Sequence, residues 1–134
     1  MVQMTIQLGQ VSSTTSEAMV RAHRVLIDRP VDKGGTDVGP MGGELFLAAV
    51  GGCFMSNLLA AIRARQADVS DVRTTVIGTI ESAPARFSDV ELHVEARGTA
   101  EDIEHLVEIA DRGCIMMNTL RGKLPLSIRT HVAV

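Results

Sequence analysis

Apolar and polar residues alternate at both ends and in the middle of the chain. Val2, Met4, Ile6 and Leu8 share one side of an extended stretch and Gln3, Thr5 and Gln7 the other, the pattern of a strand with one buried face. Glu17 to Asp28 is a second extended region, one bent strand or two paired ones. Val72–Ile80 and Phe87–Glu95 predict a hairpin with its turn around Pro84. In the second of these, Val90, Leu92 and Val94 point in and Glu91, His93 and Glu95 point out. Leu124–Val134 predicts a last strand, with Leu126, Ile128, Val132 and Val134 inward and Arg129 and His131 outward.

The period changes in two places. Leu45–Ile62 carries no formal charge over eighteen residues, and a helix from about Met41 or Glu44 to Gln66 accounts for it. Arg63 and Arg65 suit its C-terminal end. Thr99 is a plausible N-cap for a second helix, with Glu101 and Asp102 in the first turn and Ile103, Leu106, Val107 and Ala110 in a stripe at helical spacing. Continued, that stripe reaches Cys114 and Met117, with Gly113 interrupting the helix just before the thiol. Between Pro30 and Gly43 lies a loop with five glycines and two prolines, and positioning a site is the usual reason for a loop of that length.

Strands, a long helix, two strands, a helix and a strand predict an α+β fold with helices on one face of antiparallel sheet. The whole chain, residues 1–134, reads as a single domain. Because the first helix is apolar nearly all round, it needs cover on every side, and one sheet covers one side. A second copy of the chain, with this helix near the dimer centre, supplies the rest.

Composition narrows the function. The chain has 134 residues, 46% apolar and 22% charged, with a net charge of −3, no Trp, no Tyr and three Phe. Its basic residues are scattered and no aromatics stand ready to stack on bases, so nucleic acid is not an expected partner. Met1–Gln10 lacks the basic and apolar parts of a secretion signal, which places the chain in the cytoplasm, where two cysteines are expected as thiols or a redox pair. The Leu45–Ile62 run would measure roughly 27 Å as a helix, a borderline membrane span, but its Ala, Gly, Ser56 and Asn57 content and the half-buried strands around it favour a core helix.

Cys53 follows Gly51-Gly52 on the long helix. It is either a small buried hydrophobe or a reactive thiol. The two glycines weaken the helix by roughly 1 kcal/mol each relative to Ala, which makes sense where something approaches the backbone closely. Phe46, Ala49, Val50, Asn57 and Ala60 share its face, so Asn57 can hydrogen-bond near the sulfur. Cys114 also ends an apolar stripe, and two inward thiols on packed helices invite a dithiol–disulfide couple. The cysteines lie far apart in sequence with no CxxC or HxxxH, so no metal is expected, and His23, His93, His105 and His131 are isolated. A reactive thiolate calls for a cation or an oriented hydrogen-bond network; Arg21, Arg24 and Arg29 are the candidate cations. Glu44 complements the helix dipole or orients an arginine.

Two segments carry a resemblance. GGTDVGPMGGELFLAAVGGC and the later CIMMNTLRGKLPLSIRTHV resemble the two cysteine segments of the OsmC/Ohr family, in the same order and spacing over nearly the whole chain. The resemblance implies an intertwined α+β homodimer, its antiparallel sheets wrapping two central helices. It implies reduction of organic hydroperoxides without a cofactor, with Cys53 as peroxidatic cysteine, Cys114 as resolving cysteine, and an external dithiol as reductant. Glu44 and Arg21 are the matches for the family's glutamate and activating arginine. Glu44 lies one position nearer the cysteine than that glutamate, and Ile115 stands where proline is common, so the chain looks like an OsmC-like branch apart from the well-studied peroxidases. Two other functions remain open for the same dimer: binding a small hydrophobic ligand, or sensing redox state through the disulfide.

Overall fold

The computed structural model describes residues 1–134. The chain divides into two compact units, Met1–Phe46 and Leu47–Val134. In the first, β1 (Gln7–Gln10), β2 (Ser16–Val20) and β3 (His23–Ile27) form an antiparallel sheet in that order. The extended region is therefore two paired strands, joined at a turn where Arg21 adopts a φ of 54°. Asp28 anchors the glycine-rich loop that follows. Its carboxylate accepts hydrogen bonds from the N–H of Arg29 (2.7 Å), the N–H and hydroxyl of Thr36 (3.1 and 2.6 Å) and the N–H of Val38 (3.3 Å). The Thr36 hydroxyl and these N–H donors hold the carboxyl well below the usual carboxylate range, against the opposing effect of burial.

The long helix, α1, runs from Gly42 to Arg65. In the second unit, β4 (Ser70–Glu81) and β5 (Arg86–Arg97) pair antiparallel. Next come α2 (Ala100–Gly113) and α3 (Ile115–Leu120), then β6 (Leu126–Val132). Thr99 caps α2 as its side chain accepts the Asp102 N–H at 3.1 Å. Val90, Leu92, Val94, Ile103, Leu106, Val107 and Ala110 are buried and form the core of this unit with the inner face of α1.

The structure corrects the sequence reading in two respects. β6 pairs with β5 in parallel, not antiparallel, because the α2–α3 crossover returns the chain to the end of the sheet from which β5 starts; a hairpin cannot do this, and a helical crossover can. At the N-terminus only Gln7–Gln10 is strand, and all four residues are exposed. Val2, Met4, Ile6 and Leu8 are exposed too, because β1 is an edge strand with no layer over its apolar side. Val132 and Val134 are likewise exposed, where the chain runs off the end of the sheet.

Candidate active site

Cys53 owes its place to the way α1 lies on the sheet. Val50, Gly51, Phe54, Leu58 and Ala61 form the buried stripe of the helix. A Cβ on Gly51 would come within 2.7 Å of Val76 Cγ2 on β4, so the close approach that the glycine pair suggested is that of helix to strand. Gly52 faces away, with open space around it. Cys53, half-buried, flanks the stripe. One turn on, Asn57 Nδ2 donates to the Cys53 carbonyl at 3.0 Å and stands 4.0 Å from its Sγ, as the helical spacing suggested.

Cys114 is the hinge between two helices. It ends α2 and begins α3 with extended backbone, φ −79° and ψ 116°. Its N–H donates to the Asp111 carbonyl at 3.3 Å and its carbonyl accepts the Asn118 N–H at 2.9 Å. Its sulfur accepts the Met117 N–H at 3.5 Å, filling the capping place usually taken by a Ser, Thr, Asp or Asn oxygen. Cys114 has no exposed surface. Gly113 lies against Asn57, whose Oδ1 would be 3.5 Å from a Cβ there, so the start of the hinge meets α1 one turn beyond Cys53.

Both thiols are free, and each shifts the acidity of the other. Their environments separate their acidities. Burial pushes the Cys53 thiol up, but the N–H of Met116, the Cys114 thiol and the N–H of Ile115 pull it down, and the net shift is downward. Cys114 moves up: burial leads, and both the bond it donates to Cys53 and the negative charge of the Cys53 thiolate add to it, against the N–H groups of Met117 and Met116. Cys53 is therefore the sulfur that ionises first, and Cys114 remains its proton-bearing partner.

Of the residues expected at the site, the second unit brings together Cys53, Cys114 and Asn57. Glu44 and Arg21 belong to the first unit. Glu44 Oε1 accepts the Met41 N–H at 2.9 Å, half of a capping box at the start of α1. Arg21 is exposed at the β2–β3 turn, and Arg24 pairs with Glu17 at 2.9 Å. His93 and His131 lie on the outward side of β5 and β6, their rings 5.8 Å apart. Sequence reasoning missed the donors to the Cys53 sulfur, because a backbone N–H leaves no mark in residue type. It also missed Arg121, whose Nη2 lies 2.8 Å from Asp111 Oδ1. The bond to Asp111 dominates the upward shift of the Arg121 guanidinium, and the Cys114 sulfur adds to it. The separation of ten positions between those partners matches no helical period; only the Gly113 break hinted that the chain turns there.

Comparison with known proteins bears on the family and the fold. A family model described as OsmC-like protein matches residues 34–129. No curated protein matches the chain in sequence. Among solved structures, the chain is similar to an OsmC-like protein from Mycoplasma pneumoniae, at 15% identity over 99% of each chain with a TM-score of 0.86. A hypothetical protein from Aquifex aeolicus VF5 matches at 17% identity over 99% of this chain and 98% of the other, with a TM-score of 0.84. An organic hydroperoxide resistance protein from Elizabethkingia anophelis matches at 23% identity over 97% of this chain and 99% of its own, with a TM-score of 0.73. At these identities the structures speak for the fold, while the family model spans well over half of the sequence. With its two cysteines brought together across α1 and the α2–α3 hinge, the chain belongs to the OsmC-like protein family.

Proposed function

We propose that the protein is a thiol-dependent peroxidase that reduces organic hydroperoxides in the cytoplasm through Cys53 and Cys114. The observation that carries this reading is the contact between the two thiols together with their opposite shifts: the half-buried Cys53 is made more acidic and the buried Cys114 less so. A nucleophile needs thiolate at neutral pH, and a resolving thiol needs only to be near. The Cys53 thiolate attacks the peroxide oxygen, the O–O bond breaks, and the alkoxide leaves with a proton as alcohol. Cys53 is then a sulfenic acid. The Cys114 sulfur attacks it, an S–S bond forms, and water leaves. An external dithiol resets the pair by exchange. The substrate class is supported by the family and by the Elizabethkingia anophelis relative, described as an organic hydroperoxide resistance protein. In this reading Arg21 and Glu44 take the parts of the family's activating cation and its orienting carboxylate.

The same reading makes the protein a homodimer. Ala49, Gly52, Ser56, Leu59 and Ala60 form an exposed stripe on α1, and an apolar helix face of small residues suits the close approach of another helix. The exposed Val2, Met4, Ile6 and Leu8 add a second uncovered apolar surface.

The reduced protein, mixed with cumene hydroperoxide, is expected to consume it and to yield a Cys53–Cys114 disulfide by mass spectrometry, while Cys53→Ser consumes none. Equal consumption by Cys53→Ser, or none by the parent, would overturn the reading. Slow stoichiometric oxidation without turnover would assign a redox sensor instead.

A further inference from the structure

A closed circuit of bonds holds Cys114. Asp111 supplies two of its links: its carbonyl accepts the Cys114 N–H at 3.3 Å, and its carboxylate holds Arg121 at 2.8 Å. The Arg121 N–H donates to the Met117 carbonyl at 2.9 Å, and the Met117 N–H donates to the Cys114 sulfur at 3.5 Å. The path from Cys114 through Asp111, Arg121 and Met117 thus returns to Cys114. Asn118 reinforces it, its N–H on the Cys114 carbonyl and its Nδ2 on the Arg112 carbonyl, both at 2.9 Å. α3 is six residues long, too short to hold itself as an isolated helix. Its position, and with it the direction of the Cys114 sulfur, depends on such ties. The negative charge of an ionised Cys114 adds, as the smallest contribution, to the upward shift of the Arg121 guanidinium. Asp111, Met117 and Arg121 together line one end of a groove of about 460 Å³ between α2 and β6.

We propose that Arg121, held by Asp111, is a positioning residue for Cys114 that serves closure of the disulfide more than the oxidation of Cys53. In closure, the Cys114 sulfur attacks the sulfur of the Cys53 sulfenic acid; the S–S bond forms as the S–O bond breaks, and the departing hydroxide takes the Cys114 proton to leave as water. That attack demands a fixed direction of approach, which the Asp111–Arg121 pair enforces from outside the pair of thiols. The reaction with peroxide needs only the Cys53 thiolate, and the N–H groups that lower it, those of Met116 and Ile115, sit in the first turn of α3, at the opposite end of that helix from Arg121. The inference rests on the peroxidase reading for its oxidant, but the dithiol–disulfide balance tests it without peroxide.

The experiment compares the parent with Arg121→Gln, Arg121→Lys and Asp111→Asn. One arm oxidises Cys53 with cumene hydroperoxide in stopped flow and traps sulfenic acid with dimedone. The other equilibrates each protein with mixtures of reduced and oxidised dithiothreitol and counts free thiols. Arg121→Gln is expected to slow closure about fivefold, the factor set by an ion pair of the partly exposed class. Trapped sulfenic acid then rises, the rate of Cys53 oxidation falls by much less than the rate of closure, and the dithiothreitol balance shifts toward the dithiol by a similar factor. Asp111→Asn reproduces this, the double variant adds nothing further, and Arg121→Lys recovers part of the loss. Equal slowing of both steps in Arg121→Gln and Asp111→Asn, or an unmoved dithiothreitol balance in both, overturns the proposal. A parent that ignores peroxide while the variants still shift the dithiothreitol balance overturns the peroxidase reading alone.

Discussion

In β5, Val90, Leu92 and Val94 have no exposed surface, whereas in β1 all four residues are exposed and Leu8 keeps 60% of its surface. Both stretches alternate apolar and polar residues. β5 is the middle strand of its sheet, and its apolar side is covered within its own unit by the stripes of α1 and α2. β1 is an edge strand with no such layer. Alternation states that one face wants cover; it does not say which chain provides it. The uncovered alternation from Val2 to Leu8, like the outer stripe of α1, is what a second copy would complete in the proposed dimer.

The largest effect expected from this contrast is at Leu92. Leu92→Ala should lower unfolding free energy in urea by about 3 kcal/mol, transfer and cavity together, while Leu8→Ala stays within about 0.5 kcal/mol as exposed positions do. Equal losses would break the comparison. Leu8→Asp sharpens it: the circular dichroism of the fold should persist while sedimentation shows weaker self-association.

The two faces of α1 give the next contrast. Gly51→Ala drives a methyl toward Val76 and should destabilise by about 1–3 kcal/mol, the range for overpacking. Gly52→Ala meets open space within the chain and should stabilise the helix by about 1 kcal/mol. Thermal melts of the two variants, run at several protein concentrations, test this. A Gly52→Ala variant that loses stability only where the protein associates would show another helix seated on that face.

The smallest effect concerns pH. The folded Asp28 carboxyl titrates well below its unfolded value of about 3.9. Its contribution is therefore complete above that value and is lost progressively as pH falls below it toward the folded pKa. Melting temperatures from pH 6 down to pH 2 should show an acid limb in the parent that is shallower in Asp28→Asn. An identical limb in both would remove Asp28 as its source.

Much of this was legible in residue order. The helix bounds, the Thr99 cap, the inward side of β5 and the meeting of Cys53 with Cys114 all follow from local periodicity or from the family resemblance. The direction of β6 was not legible, because Leu126 and Ile128 alternate with Ser127 and Arg129 in the same way whether their neighbour runs parallel or antiparallel. Nor was the cause of the lowered Cys53 thiol. The sequence directed attention to arginines; the N–H groups of Ile115 and Met116 that lower the thiol are present whatever side chains those positions carry. Glu44 does carry a mark in residue type, and within the chain its carboxylate accepts the Met41 N–H at the start of α1.

The complete burial of Cys114 beside a half-buried Cys53 has a practical consequence for the chemist at the bench. An alkylating reagent added to the folded, reduced protein at neutral pH meets one accessible and reactive sulfur per chain. Uptake of label therefore counts reduced molecules one for one, without unfolding or digestion. The second equivalent enters only when the hinge between α2 and α3 opens, so the lag between the two labelling events is a clock for that opening.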